Sequence, residues 1–443
     1  MNIQNIAIIG GGPAGFMAAI AAAENTSEKI YIDILEKNIP LKTILYTGNG
    51  RCNLSNKIYD YKELASNYPR GEKFLYSAFS RFGVKETLDW FYLHGVETYV
   101  QEDNRVFPIT DKASTVRDMF VEKAQKLSIN ILSHTSTKKI IKKDDKFVVQ
   151  MENFYKEYDK VIIATGGSSR DLQNSGYELA KNFGHSITEL KPSLTALRTK
   201  ENFVGKLAGV SVKSAEISSF LNEICHCEQS EAIQASLTNK WIASSQAPRN
   251  DGRLITKFNG DFVFTHKGVS GPVIFKTSAY CAYLDYSKNN PLLLKINFLP
   301  DLFRETLEKE LLEEFNSNPH KSLDNILKKY LPKSLIDVLL EEAKLDIDKK
   351  SSQITKEDRK KILKFLTETE LTVISPEPEG EIVTAGGVCL KEINPKTMES
   401  KLVSGLYFCG EVMDIDGLTG GFNLQACWST GFIAGINISK EIL

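Results

Sequence analysis

The chain has 443 residues, against about 100 to 200 for an ordinary domain, so at least two hydrophobic cores are expected. Hydrophobic residues make up 42% and charged residues 25%, which excludes a disordered, collagen-like or low-complexity chain. Lys and Arg total 55 against 56 Asp and Glu, a formal charge of −1, so there is no global attraction to nucleic acid, acidic lipid or acidic substrate, and any such partner must be met by a local patch. The start, MNIQNIAIIG, lacks the basic segment and long apolar core of a signal peptide, and no apolar run approaches the roughly 20 residues that span a bilayer. The expectation is a soluble, cytoplasmic protein with no membrane partner. Seven scattered cysteines do not form a disulfide framework and are read as reduced thiols.

In chain order, the first element is a β-α-β unit: an apolar strand at Ile6 to Ile9, a glycine turn, an alanine-rich helix at Pro13 to Glu24, and a strand at Ile30 to Leu35 ending in Glu36. This is the opening of a doubly wound α/β fold. Three helical patterns follow between 72 and 127 (FLYSAFSRFG, ETLDWFYLHG and TVRDMFVEKAQKL), with the strand-like ETYVQEDNRVFPI between the second and third. Short β-type runs from Ile129 lead to the continuous apolar strand Val161 to Ala164 and the turn TGG, where the chain re-enters the main sheet. From about Leu190 to Phe298 the segments are β-rich and turn-punctuated, the pattern of a small antiparallel barrel or sandwich. Asp301 to Glu368 reads as successive glycine-free helices. Strands and glycines return at Leu371, and the chain closes with a strand at Gly405 to Cys409, a glycine-rich turn and a final helix from about Asn423. The expected architecture is therefore α/β: a two-part Rossmann-like FAD-binding domain (1–190 and 371–443) with an inserted antiparallel β-barrel subdomain (191–299) and a helical subdomain (300–370). Cys225 to Gly252 breaks the alternation of its neighbours and reads as an insertion at a hairpin tip.

The sharpest chemical signal is Gly10-x-Gly12-x-x-Gly15, placed directly after a strand and opening a helix. Gly10 permits the tight turn, Gly12 the close approach of a pyrophosphate and Gly15 the helix-to-sheet packing, with the phosphates on the helix N-terminus. Glu36, twenty-one residues after Gly15, ends the second strand and should accept the adenosine ribose hydroxyls. Its carboxylate would repel a 2′-phosphate, which disfavours NADP here. The alternative is a glycine turn in an unliganded α/β protein. FAD and NAD share this fingerprint, and other segments discriminate. VIIATGGSS (Val161 to Ser169) resembles the second glycine turn that large FAD-binding proteins place against the adenine half. GLYFCGEVMDIDG (Gly405 to Gly417) resembles their strand ending in Gly-Asp or Gly-Glu, in which Gly410 and Glu411 would hold the ribityl hydroxyls, while the amides of the following helix would face the pyrimidine end of the flavin.

Four blocks extend the likeness across nearly the whole chain: TGNGRCNLSN (Thr47 to Asn56), NRVFPITDKASTV (Asn104 to Val116), FTHKGVSGP (Phe264 to Pro272) and the stretch from Thr384 to Gln425. They resemble the hallmark blocks of the BaiN/RdsA (YhiN-like) family of FAD-dependent oxidoreductases. The resemblance implies tightly bound FAD and cofactor contacts by Pro13, Ala14, Lys37, Gly50, Arg51, Cys52, Asn53, Thr165, Gly166, Gly387, Gly420, Gly421, Asn423 and Leu424 beside the residues above. It also implies reduction of a carbon–carbon double bond, either in a small-molecule enone or in uracil of large-subunit ribosomal RNA, with NAD(P)H as a transient reductant. Two features depart from the family pattern: the stretch after Gly167 is shortened, and the insertion at 225–252 is extra.

Arg51 suits phosphate by charge-assisted bonding. Cys52 and His266 are the candidates for catalysis. For Cys52 the competing and preferred role is packing or backbone positioning, since no CxxC pairs it into a relay, and for His266, in the FTHKG block that the resemblance covers, the preferred reading is a position that does not face the substrate. Cys225-His226-Cys227 lacks a second arm with metal-ligand spacing, so no metal site is expected. The KKDDK and EDRKK runs are read as solvated faces. The function expected is hydride transfer from reduced flavin to an electron-poor C=C, with the proton donor unassigned. Two alternatives stay open: a flavin oxidase of small amines or ketones (aminoacetone-oxidase-like), and a flavin-carrying RNA-binding or assembly factor.

Overall fold

A computed structural model describes residues 3–27, 29–168, 175–221, 253–346, 349–377 and 382–439. The chain divides into two compact units, Met1–Leu194 with Glu381–Leu443, and Thr195–Gly380.

The first unit is built on a five-stranded parallel sheet in the order Leu406–Phe408, Lys160–Ile163, Gln4–Ile9, Ile30–Leu35 and Asn130–Leu132. A central parallel strand is covered on both faces, which is why Ile6 to Ile9 form an unbroken, fully buried apolar run. Helix Pro13–Glu24 lies against helix Phe422–Ile438. A Cβ added at Gly431 would sit 2.5 Å from the Ala14 carbonyl oxygen, and one at Gly435 would sit 2.4 Å from that of Ala18. The two backbones therefore touch along a stripe of small residues, and sequence-distant segments meet at one helix pair. Two small antiparallel sheets flank this layer, one of Ser55–Asn56, Arg105–Pro108 and Thr98–Val100, the other of Thr137–Lys143, Lys146–Met151 and Tyr155–Tyr158. The buried Asp33, on the strand next to the edge strand, accepts from Lys156 Nζ (2.7 Å), the Tyr158 hydroxyl (2.6 Å) and Asn130 Nδ2 (3.0 Å). This carboxylate is accounted for structurally.

The second unit holds a closed six-stranded barrel in the order Leu197–Thr199, Gly268–Ser270, Arg253–Phe264, Ser211–Leu221, Leu292–Asn297 and Thr369–Pro376. Leu221 pairs with Arg253, so residues 222–252 join two directly adjacent strand ends. The Cys225-His226-Cys227 cluster and the insertion expectation for 225–252 lie outside the described residues, as do most of the positions after Gly167 where the pattern shortens.

Three features differ from the sequence expectation. Helix Pro272–Cys281 stands within the β-rich stretch; Pro272 at its first turn and Gly271 at φ 106° start it, and Val273, Ile274, Thr277, Ser278 and Cys281 bury one helical face. Its β-branched and aromatic content had the propensity of a strand, and packing overrides it. The helices Arg304–Ser317, Lys333–Ala343 and Lys356–Glu368 do not form a separate core. Leu307, Leu311, Leu335, Ile362 and Leu366 share one apolar cluster with barrel residues Ile217, Leu294, Ile296 and Val373. Finally, Leu371 to Pro376 belongs to the barrel and not to the second half of the nucleotide-binding unit, since Leu292 to Ile296 pair with Val373 to Thr369.

Candidate functional site

The first unit brings together three glycine turns. At the fingerprint turn, the Gly10 amide donates to the Leu35 carbonyl (2.9 Å) and Gly10 stands at φ 110°, where an added Cβ would meet the Ala164 oxygen at 2.4 Å. At Gly15 an added Cβ would lie 2.1 Å from the Gly10 oxygen. Both positions demand glycine for internal packing. Gly12 is the opposite case: it caps the helix with no atom within 4 Å of an added Cβ, so its side of the turn is open to a ligand. Pro13 fills the first helical position and Ala14 is buried behind it, 2.7 Å from the Cβ position of Gly410. Glu36 is half-buried; one carboxylate oxygen accepts from the Gly11 amide (2.8 Å) and the other from the Asn38 amide (2.7 Å). Each oxygen keeps a second lone pair for a hydroxyl donor. Lys37 beside it is exposed.

The second turn, Ala164 to Ser168, carries Gly166 at φ 77° with open space at its Cβ position. The Thr165 hydroxyl is buried without a hydrogen-bond partner. A Cβ at Gly167 would fall 2.6 Å from Glu411 Oε1, and the Ser168 amide donates to the Thr384 hydroxyl at 2.9 Å. The Thr384 amide in turn donates to Glu411 Oε1 at 3.0 Å. The third group therefore closes on the second through one carboxylate. Gly387, at φ 150°, packs its α-carbon against the backbone of Met413, with the Val388 amide bonded to the Val412 carbonyl at 2.9 Å.

The loop at Arg51 to Asn56 is lashed to the start of the last helix. Ser55 Oγ donates to Gln425 Oε1 (2.6 Å), Trp428 Nε1 to the Leu54 carbonyl (2.9 Å) and Asn56 Nδ2 to the Gly420 carbonyl (3.1 Å). In the amide orientation that satisfies both neighbours, Asn53 accepts from the Gly421 amide (3.0 Å) and donates to the Ser55 carbonyl (3.1 Å). Gly421 must be glycine, since a Cβ there would lie 2.3 Å from the Ser55 oxygen. Asn56 Oδ1 is a second buried oxygen without a partner. The side chain of Asn423 is committed to the Gly417 amide and carbonyl, both at 2.8 Å, so any cofactor contact it makes is through its backbone. Leu424 is buried.

Arg51 lies with its guanidinium 4.2 Å from the Phe107 ring centroid and 3.9 Å from Asp111, and its side chain is 32% exposed. An exposed ion pair at that distance is weak, which leaves the cation available to a phosphate. Gly50 next to it stands at φ 82°. Cys52 is fully buried at φ 63°, and burial pushes its thiol up to about 12 while the Thr47 contact pulls the other way. This is a packed thiol and not a thiolate nucleophile. His266 sits in the exposed turn between two barrel strands of the second unit. Among the described residues, no group of three or more His, Cys, Asp or Glu is placed to hold a metal ion, and no helix is long and apolar enough to cross a membrane.

The residues fit FAD. Gly12 and Gly166 leave open space, Thr165 Oγ1 and Asn56 Oδ1 are buried oxygens short of a partner, and Glu36 and Glu411 are held by backbone amides near opposite ends of the parallel sheet's C-terminal edge. Sequence reasoning did not single out Thr384, Asn56, Arg70, Asp414 or Asp416, which the fold brings into the same unit. The alternating acids of MDIDG were the available signal.

A family model described as HI0933-like protein Rossmann domain matches residues 4–437. A 3-dehydro-bile acid delta(4,6)-reductase of Clostridium scindens is 29% identical over 440 residues, covering 98% of each chain. A ribosomal RNA dihydrouridine synthase of Escherichia coli is 28% identical over 432 residues, covering 96% of this chain and 95% of the relative. Its counterpart in Haemophilus influenzae is 28% identical, covering 99% of each.

Proposed function

Because the chain belongs to the HI0933-like Rossmann-domain family, we propose that it is an FAD-dependent reductase of a C=C bond conjugated to a carbonyl. The observation that carries this is that Glu411 joins the Ala164 to Ser168 turn to Thr384 while Gly410 packs on Ala14 behind the fingerprint turn, with the side of Gly12 open. The two kinds of relative support the same chemistry: one is named as a reductase of bile-acid double bonds, and dihydrouridine is uridine with its ring double bond saturated. An enone-type small molecule and uracil in ribosomal RNA are accordingly the two substrate classes.

When bound, FAD supplies the hydride. The Gly10 to Gly15 turn receives the pyrophosphate on the N-terminus of helix Pro13–Glu24, and Glu36 receives the adenosine ribose. Glu411, whose Oε1 accepts from the Thr384 amide, is the acceptor for the ribityl hydroxyls. Arg51 adds a cation for phosphate. The start of helix Phe422–Ile438, held by Asn53 and Asn56, stabilises negative charge at the pyrimidine end. With a single GxGxxG in the chain, a nicotinamide that served as reductant would visit the flavin transiently and not from a nucleotide-binding domain of its own.

Heat release of the cofactor from purified protein should yield FAD; recovery of FMN or NAD alone would overturn the assignment. Substrate class is decided in cells lacking the protein: loss of dihydrouridine from ribosomal RNA identifies uracil as the target, and unchanged dihydrouridine leaves the enone class.

A further inference from the structure

Resting on the C=C reduction just proposed, we propose that Asp414 is the acid that protonates the substrate carbon next to the one that receives hydride. Asp414 and Asp416 lie two residues apart on the segment between Glu411 and the last helix, with Asp414 at a tight bend in which the Ile415 amide donates to the Met413 carbonyl at 2.7 Å. One guanidinium serves the pair, and Asp416 takes it. Arg70 donates through Nε and Nη2 to the two oxygens of Asp416, and the Ser193 hydroxyl donates to Asp416 Oδ2 at 2.6 Å. Asp416 and Ser193 are 0% exposed, and Arg70 and Asp416 also form a backbone bridge. This knot fixes the segment and uses up the nearby positive charge.

The groups that hydrogen-bond around Asp414 are neutral. Its amide donates to the Val388 carbonyl (3.1 Å), and its carboxyl meets the Thr188 hydroxyl and the Gly386 amide on the turn that Gly387 packs against Met413. Its Oδ1 is buried without a hydrogen-bond partner. The charged groups that act on it are Asp416, which repels its anion, and Arg70, already committed. Burial is the largest influence and raises its carboxyl above the usual range, with Asp416 adding to it. A buried carboxyl oxygen that no donor satisfies favours the neutral acid, the form that can give up a proton. The same turn, Thr384 to Val388, carries the amide that holds Glu411, so Asp414 flanks the cofactor cradle.

The balance is simple. Hydride addition to the β-carbon of the conjugated double bond leaves an enolate. The enolate α-carbon takes the carboxyl proton of Asp414, forming a C–H bond as the O–H bond breaks. Asp414 is then a carboxylate and regains its proton from water. The flavin is oxidised by two electrons and the substrate is reduced by two, and NAD(P)H restores the flavin.

The test uses the full-length flavoprotein, reduced anaerobically with dithionite and mixed with a 3-oxo-4-ene steroid or with a uridine-containing ribosomal RNA fragment. Asp414→Asn, which keeps the shape but cannot deliver the proton, should retain FAD and slow reoxidation by substrate about 100-fold or more, the usual worth of a general acid. In the parent, reoxidation should fall as pH rises through the raised carboxyl value, since only the protonated form acts, and Asp414→Asn should lose that dependence. Asp414→Glu should recover part of the rate. Infrared difference spectra of the cofactor-free protein supply a readout independent of turnover: a protonated carboxyl band at neutral pH, present in the parent and absent in Asp414→Asn. A parent that reduces neither substrate would fail the C=C reading and leave the infrared band to decide the state of Asp414. A parent that reduces substrate while Asp414→Asn keeps its rate and pH profile would overturn the role of Asp414, as would absence of the infrared band.

Discussion

At the residue scale, the fingerprint glycines separate into two kinds that the motif alone does not distinguish. Gly10 and Gly15 are required by the protein's own backbone, whereas nothing in the protein itself requires glycine at Gly12. Its backbone is extended (φ −87°, ψ −174°), a conformation valine adopts without strain. Gly12→Val should therefore leave the cofactor-free fold intact and abolish FAD retention; a folded variant with parental flavin content would refute the proposed phosphate path. Glu411 is the second test. Alanine removes a charged acceptor, a loss of about 1.5 to 3 kcal/mol, or roughly ten- to a hundred-fold in FAD affinity. Saturating FAD should then largely restore turnover, and normal FAD binding with blocked hydride transfer would move Glu411 to the substrate site. The strand, glycine turn, helix and acid of the proposed nucleotide half were legible because they are local, falling within 36 residues. The pairing of Arg70 with Asp416 was not, because the partners are 346 positions apart and nothing in either stretch points to the other.

At the scale of elements, strongly periodic segments in fixed context were readable. Helix Pro13–Glu24 begins and ends where the alanine-rich pattern does, and the last helix starts at Phe422 after its glycine pair. Helix Pro272–Cys281 was missed because its residues suit a strand and only its burial against the barrel selects the helix: a Cβ on Gly260 of the neighbouring strand would come within 3.1 Å of Val273. Two predictions belong here. Gly435→Val drives a branched side chain into the backbone of the first helix and should cost about 1 to 3 kcal/mol in denaturant unfolding, as overpacking does; an unchanged midpoint would mean that the helix pair is not closely packed in solution. Replacing residues 222–252 by a short turn should preserve soluble protein and flavin content, since the strands they join are already paired at Leu221 and Arg253. Insoluble or flavin-free protein would show that the segment contributes to the core.

At the scale of the molecule, the chain leaves the first unit after one part of it, builds a barrel with its own helices, and returns to add the strand before Gly410 and the last helix. The break in the first unit was legible from the return of strands and glycines near the C-terminus. The sharing of one core by barrel and helices was not, because periodicity records which face of a helix is apolar and not which element covers it. In the proposed cradle the adenosine-side and flavin-side residues come from opposite ends of the chain, so it would be complete only when both ends have folded together. The central claim is reduction of a conjugated C=C by protein-bound FAD, and the most direct measurement is an anaerobic single turnover. The dithionite-reduced flavoprotein, freed of excess reductant, is mixed with enone or uridine-containing ribosomal RNA, and flavin absorbance and product are followed together. We predict reoxidation without oxygen and one saturated product formed per flavin. Flavin that stays reduced with both substrates, yet reoxidises at once when oxygen is admitted, would contradict the claim and mark the protein as an oxidase.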